Sequence, residues 1–345
     1  MSKVTIKDIA DQTGLSKGAV SKALSGKKGV SESTRETVLK TAENMGYQVN
    51  TVAQALARST MKLGIIMPAV WEEYYGELRK GIDKRLAQIS RFNVEGEYRY
   101  YDGLYSNDGI VAALNELAEI QVDGVILCPG SVTGVKGYSE YYIKKNIPVV
   151  MLGTDSQVRE RVACVQVDSE MAGTIAAEFI SLIVQPGKTV VVFIGNKDIE
   201  DHKKKLDSFC SEISSKTFSQ YAVFETQDDP ELAYVLARKK LTEIPDVGGI
   251  YIATGNSEAI CRAITELGLQ NTIRVVATDV FPDIKEYVDS GLISGVIYQN
   301  PIRQGEMAVA CLYQCISERI TPSEQTVSPM LLLKTSFDRM MNELE

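Results

Sequence analysis

Residues 5–24 read TIKDIADQTGLSKGAVSKAL, and two incompatible structures compete for them. Gly14 to Gly18, G-L-S-K-G, matches the G-x-S-x-G turn that presents a hydrolase's nucleophilic serine. That turn needs a buried strand ahead of the serine, and ADQT has the character of a helix. A catalytic triad would also depend on His202, the one histidine in the chain. The alternative accounts for more residues. Thr5 caps a helix with Asp8 at its N3 position, Ile6, Ile9 and Ala10 share a face, and Gly14 supplies the left-handed stop. Ser16 then caps a second helix that turns Ala19, Val20, Ala23 and Leu24 inward. Ser16 is read as a cap.

Gly26 and Gly29 mark the next loop, and Ser31 caps a third helix over ESTRETVLKTAENM, residues 32–45. Its Val38, Leu39, Ala42 and Met45 form an apolar stripe before Gly46 ends it. Three short helices, the first two joined by a tight glycine turn, make a helix-turn-helix. The second helix is expected to expose Lys17, Gly18, Ser21 and Lys22 on one face, suited to the major groove of DNA. Charge points the same way. The chain carries −8, yet residues 1–62 hold ten basic and five acidic groups, so that segment is +5 and the remainder −13. A basic module on an acidic body is expected when only the module touches a polyanion.

Asn50 to Ala57, NTVAQALA, reads as about two helical turns capped by Asn50, with Val52, Ala53 and Leu56 on a strip too small to form a core. So short a helix is marginal in water. From the residues alone it is either a helix that orders on docking or a flexible linker.

After Lys62 the texture changes. Buried strands (LGIIMP at 63–68, FNVEGEYRYY at 92–101, DGVILCPG at 123–130, IPVVMLGTDS at 147–156) alternate with amphipathic helices. The pattern restarts with the helix SEMAGTIAAEFISLIV and the strand TVVVFIG, and continues through GGIYIATG, IRVVATDV and ISGVIYQNP. Short buried strands separated by helices predict parallel sheets covered on both faces. Two such halves leave a cleft at the carboxyl ends of their strands, where small ligands bind.

Composition narrows the classes. No apolar run approaches the ~18 residues of a membrane span. MSKVTIKDIADQ lacks a signal peptide's apolar core, so a cytoplasmic protein is expected. Cysteines 128, 164, 210, 261, 311 and 315 form no C-x-x-C pair, and buried reduced thiols are expected. There is no phosphate loop and no carboxylate pair of defined spacing, so neither an enzyme nor a cofactor or metal site is expected.

The stretches VTIKDIADQTGLSKGAVSKALSG, VSESTRETVLKTAENMGYQVN and TVAQALA, followed by two α/β lobes, resemble the LacI/GalR family of bacterial transcription regulators. The resemblance implies a small all-α helix-turn-helix DNA-binding domain at 1–49 and a hinge helix with linker at 50–62. It implies a two-lobed α/β core of doubly wound parallel sheets, like the periplasmic sugar-binding proteins, at 63–345. The first lobe would take about 63–165 plus 295–325, the second about 166–294 plus 326–345. Lys17, Gly18 and Lys22 fall at the family's base-reading positions. Lys22 stands where many members carry arginine, so its discrimination is blunter. Thr5, Ser16, Ser21, Thr34 and Asn50 are then DNA contacts suited to phosphates. Leu56, beside Ala53, matches a wedge that enters the minor groove and kinks the duplex. The implied operator is a pseudo-palindromic double-stranded DNA read by a homodimer.

The resemblance also implies a small carbohydrate or polyol effector between the lobes. Trp71, Glu72, Tyr74 and Tyr75 follow the first strand, and Ser131 and Asp155 end later strands of the first lobe. Asn256 and Asp279 end strands of the second, and Gln299 lies where the chain crosses back. Lys205 stands where relatives often place an arginine, which admits a different polyol, a sugar acid or a phosphorylated sugar. The expected function is a repressor gated by this effector. A regulator gated by a protein corepressor, a sugar receptor without regulatory role and an α/β enzyme are the rivals. No leucine-heptad tail follows Glu345, so a dimer is expected over a tethered tetramer.

Overall fold

The computed structural model describes residues 4–24, 29–45, 47, 60–132, 134–135, 140–156, 161–216, 218, 220–320 and 324–344. It divides into an N-terminal unit and a core that spans Thr60–Ser90 and Val94–Glu345.

The N-terminal unit holds α1 (Ile6–Thr13), α2 (Lys17–Leu24) and α3 (Glu32–Asn44). The expected caps form. Thr5 Oγ1 accepts the Asp8 amide at 3.4 Å, and the Asp8 carboxylate accepts the Thr5 amide at 2.8 Å. The Thr5 hydroxyl, which donates to Asp8 Oδ2 at 2.7 Å, and then the Thr5 amide hold the Asp8 carboxyl below its ordinary pKa. Gly14 takes φ 67° at the end of α1, a conformation that costs a residue without Cβ nothing. Ser16 Oγ accepts the Ala19 amide at 3.2 Å, so the residue that mimicked a nucleophile opens α2. Ile9, Ala10, Val20, Ala23, Val38 and Ala42 make one small core. Leu39 departs from the expected stripe and is 48% exposed. It lies one residue, about 100° of helix, past Val38, and so faces solvent. The expected hinge helix, with Asn50, Ala53 and Leu56, lies outside the described residues.

The core contains two six-stranded sheets of the same order. The first runs from β1 (Met61–Pro68) through α4 (Glu72–Ile89), β2 (Val94–Tyr101), α5 (Asn107–Glu119), β3 (Gly124–Leu127), α6 (Glu140–Lys145), β4 (Val149–Leu152) and β5 (Ala163–Val167). The chain then enters the second sheet. Its elements are α7 (Ser169–Ile183), β6 (Thr189–Ile194), α8 (Glu200–Ser214), β7 (Gln220–Glu225), α9 (Pro230–Glu243), β8 (Val247–Ala253), α10 (Ser257–Glu266), β9 (Arg274–Thr278), α11 (Lys285–Asp289) and β10 (Ile293–Tyr298). It returns through α12 (Pro301–Glu318) and β11 (Gln325–Val327), and ends with β12 (Met330–Leu332) and α13 (Lys334–Leu344).

Strand order is β2-β1-β3-β4-β5-β11 in one sheet and β7-β6-β8-β9-β10-β12 in the other. Every pairing is parallel except β10 with β12. Each order reverses beside its first strand, at β1/β3 and at β6/β8. Such switch points open a crevice at the carboxyl ends of the strands. The central strands are buried end to end, as in VVML of β4 and TVVVFI of β6, because helices cover both faces.

β10 pairs with β9 in the second sheet and β11 with β5 in the first, so the chain crosses back after Tyr298, beside Gln299, and again after Val327. In the first lobe α4 and α12 cross at glycines: a Cβ on Gly81 would overlap the Ile302 carbonyl, and one on Gly305 would overlap that of Leu78.

Candidate functional site

A cavity of about 70 Å³ lies where the strand ends of the two lobes face each other. From the first lobe come Trp71, Tyr74 and Tyr75 after β1, Ser131 after β3 and Thr154 after β4. The second lobe brings Asp201, His202 and Lys205 on α8, Asp228 after β7, Thr254 and Gly255 after β8, Asp279 after β9 and Gln299 after β10. Seven of the ten expected effector residues therefore meet: Trp71, Tyr74, Tyr75, Ser131, Lys205, Asp279 and Gln299.

The other three go elsewhere. Glu72 sits in the first turn of α4 with its side chain 75% exposed, paired with Arg79 at 2.7 Å. Asp155 is gripped by Arg161 through both carboxylate oxygens, and Arg161 also reaches Glu324 at 3.1 Å. This fork-to-carboxylate pair ties the segment after β4 to the one before β5. Asn256 is buried and donates to Thr226 Oγ1 at 3.1 Å, and it lines a neighbouring cavity with Pro230 and Phe281. Sequence reasoning passed over Asp201, His202 and Asp228.

Asp279 anchors the second-lobe wall. Its carboxylate accepts the Gln299 amide at 3.0 Å and the Gln299 side-chain Nε2 at 2.5 Å. Lys205 Nζ donates to Gln299 Oε1 at 3.2 Å, which completes a buried row from lysine to glutamine to aspartate. Burial pushes the Asp279 carboxyl up to about 6, against the pull of the Gln299 donors and the Lys205 charge. Asp228 accepts Thr254 Oγ1 at 2.8 Å, and Ser131 Oγ at 3.4 Å from the opposite lobe. Asn196 donates its amide to His202 Nδ1 at 3.1 Å, which places the ring's proton on Nε2.

Three cleft residues occupy left-handed backbone without being glycine: Trp71 at φ 50°, Asp228 at φ 56° and Asp279 at φ 63°. For a bulky residue such as Trp71 this conformation costs energy and persists only where the surroundings enforce it. Its surroundings do: the indole lies on Gly255, where a Cβ would come 2.8 Å from the ring. Burial also pushes the Tyr74 and Tyr75 phenols well above their ordinary pKa, so both remain neutral hydrogen-bonding groups.

In the N-terminal unit, Lys17, Gly18 and Lys22 are exposed along α2 and Ser21 is half-buried. Thr5 and Ser16 are exposed at the first turns of α1 and α2, and Thr34 is half-buried against the Ser31 cap.

Residues 63–319 match the periplasmic binding protein domain, and residues 5–50 match the bacterial regulatory proteins of the lacI family. The chain belongs to the periplasmic binding protein domain family and carries a lacI-family domain at its N-terminal end. A relative named catabolite control protein A, from Priestia megaterium, is 30% identical over 209 residues, 60% of each chain. The HTH-type transcriptional regulator pepR1 of Lactobacillus delbrueckii subsp. lactis is 28% identical over 68% of each. Thus the first of these matches spans about three fifths of its relative's length. Among solved structures, a solute-binding protein from Actinobacillus succinogenes 130z, with bound D-allose, covers 81% of this chain and 100% of its own, with a TM-score of 0.73 and 19% identity. At that identity the likeness establishes the fold. Among the described residues no helix is long and apolar enough to cross a membrane.

Proposed function

We propose that this chain is a cytoplasmic, non-catalytic LacI-family transcriptional regulator, a repressor, controlled by a small sugar-like effector bound between the lobes of its core. The observation that carries this reading is the cleft itself. Aromatic faces from one lobe oppose buried hydrogen-bonding side chains from the other at both topological switch points. The solved structure with D-allose supports a sugar-sized ligand in such a fold. The cavity has room for on the order of five waters, the scale of one sugar ring.

In this reading residues 1–49 bind a pseudo-palindromic operator as a homodimer, Lys17 and Lys22 face the major groove, and residues 50–62 form the hinge with Leu56 as its wedge. An effector that favours one lobe arrangement over the other shifts the hinges, and only that difference in affinity couples the sites.

The test has two arms. Fluorescence anisotropy with random duplex at low salt should show binding that weakens steeply with salt, and sedimentation should show a dimer. A melting screen against monosaccharides and polyols should yield a ligand whose shift disappears in Asp279→Ala. No DNA binding and a monomer would sink the regulator; a full shift in Asp279→Ala would sink the cleft.

A further inference from the structure

The cleft is acidic in a way that its internal partners do not balance. Asp201, Asp228 and Asp279 are each buried, with exposures of 8%, 8% and 4%, and Lys205 is the one basic side chain at 2%. His202 adds no positive charge while its Nδ1 accepts the Asn196 amide. Among the described residues, Lys205 makes no ion pair with any of the three aspartates; its ammonium is spent on Gln299 Oε1. Three carboxylates thus face one ammonium, and burying unpaired charge is costly.

The three are not equivalent. Asp279 and Asp228 each accept two hydrogen bonds. Among the described residues, Asp201 has the His202 ring at 3.9 Å from Oδ2, and its Oδ1 is buried with no hydrogen-bond partner. The residue belongs to the first turn of α8 and lines the cavity. A helix start favours a negative charge there, so Asp201 is a carboxylate acceptor waiting for a donor. Among the described residues no three His, Cys, Asp or Glu side chains converge as a metal-ligating group.

We propose that the ligand of this cleft is an amino sugar, a single polyol ring whose protonated amine sits on Asp201 Oδ1. The inference rests on the sugar-effector reading above and deepens it. A neutral hydroxyl would satisfy the geometry of Oδ1 but leave the charge imbalance untouched. An ammonium does both, through a charge-assisted bond stronger than a neutral one. Trp71, Tyr74 and Tyr75 line the same cavity, and aromatic rings favour a cation over an anion at their faces. A phosphorylated sugar or a sugar acid, which Lys205 at first suggested, would place like charge beside three carboxylates.

The experiment is isothermal titration of the full chain at pH 7 with matched sugars. The pairs are D-glucose with D-glucosamine, D-galactose with D-galactosamine and D-mannose with D-mannosamine. N-acetyl-D-glucosamine, D-glucose 6-phosphate and D-gluconate complete the panel. One amine should bind at least tenfold tighter than its neutral partner, and the acetylated and anionic sugars should bind more weakly still. Asp201→Asn should bring amine and neutral sugar within about twofold while melting like the parent without ligand. If that variant does not fold, the contrast between D-glucosamine and its N-acetyl form in the unaltered chain carries the same information. A neutral or anionic sugar that binds as tightly as the best amine overturns the proposal and leaves the sugar-effector reading standing, as does a preference that survives Asp201→Asn. Silence across the whole panel overturns both.

Discussion

Tyr298, at the end of the second lobe's β10, donates its phenol proton to Glu77 on the first lobe's α4 at 2.8 Å. The bond crosses between lobes at a carboxylate that is 7% exposed. Burial pushes the Glu77 carboxyl up to about 8, further raised by Asp279 and opposed by the Tyr298 bond and Lys80. The folded core therefore holds this proton more tightly than the unfolded chain, whose glutamate titrates near 4.5.

The sign of the pH dependence follows. A carboxyl raised on folding contributes its full stability below the unfolded pKa and loses it as pH rises through the folded one. Between about 4.5 and about 8 this group alone removes up to ~1.4 kcal/mol per pH unit. Glu77→Gln keeps the shape and deletes the titration. Urea unfolding at pH 6 and pH 8.5 should show a smaller loss of stability for the variant than for the parent. Equal losses would mean that Glu77 is ionised throughout.

Trp71 is the chain's single tryptophan, and it lies on Gly255 across the cleft. Its emission therefore reports on lobe closure without a label. Gly255→Ala sets a methyl 2.8 Å from the indole, closer than carbon atoms tolerate, and overpacking of this kind costs about 1–3 kcal/mol. The expected outcome is red-shifted fluorescence and weaker effector binding, with the far-ultraviolet circular dichroism unchanged. Emission identical to the parent would place the ring elsewhere.

Much of this could be read from the residues, and the failures have physical causes. Thr5, Gly14 and Ser31 were legible because capping chemistry is local: the residue that needs the bond and the one that supplies it are three or four positions apart. Asp279 and Gln299 were legible because the family resemblance puts effector contacts at strand ends, and the apolar strands they follow, β9 and β10, are plain in the sequence. The same logic applied to AVFET would have reached Asp228, two residues past its end, yet T-Q-D-D-P reads as an ordinary turn. β11 and β12 escaped because runs of three residues carry little periodicity. Asp155 misled for the opposite reason. It ends a strand as expected, but Arg161, six residues on, captures it, and no spacing rule announces that pairing. Glu77 was not singled out, because its hydrogen-bond partner Tyr298 lies 221 positions away.

The crossing of α4 and α12 offers a test of the first lobe that involves no ligand. At Gly81 a Cβ would strike the backbone oxygen of Ile302, and a backbone cannot rotate aside as a side chain can. Gly81→Ala improves helix propensity by up to ~1 kcal/mol, so a gain in stability is the naive expectation. The crossing should reverse it, with a net loss of about 1–3 kcal/mol seen as a lower urea midpoint. A more stable variant would show that the helices are free to separate there.

Lys22 tests the N-terminal unit by itself. It is exposed in the last turn of α2, on the face that Lys17 and Gly18 share. If its ammonium meets a phosphate, Lys22→Ala should weaken binding to any duplex. The slope of log K against log salt should then fall by about 0.9 for each phosphate no longer neutralised, hence by about twice that for a twofold pair. If it reads a base instead, affinity for random duplex and the salt slope should both hold, and only discrimination among selected sequences should relax. Titrations by anisotropy from 50 to about 200 mM salt separate the two. The sequence reading favours the base contact, so an unchanged slope with a loss of about 1–3 kcal/mol on the selected operator is the expected result. If neither quantity moves, α2 does not enter the groove, and the helix-turn-helix geometry on which operator binding depends goes with it.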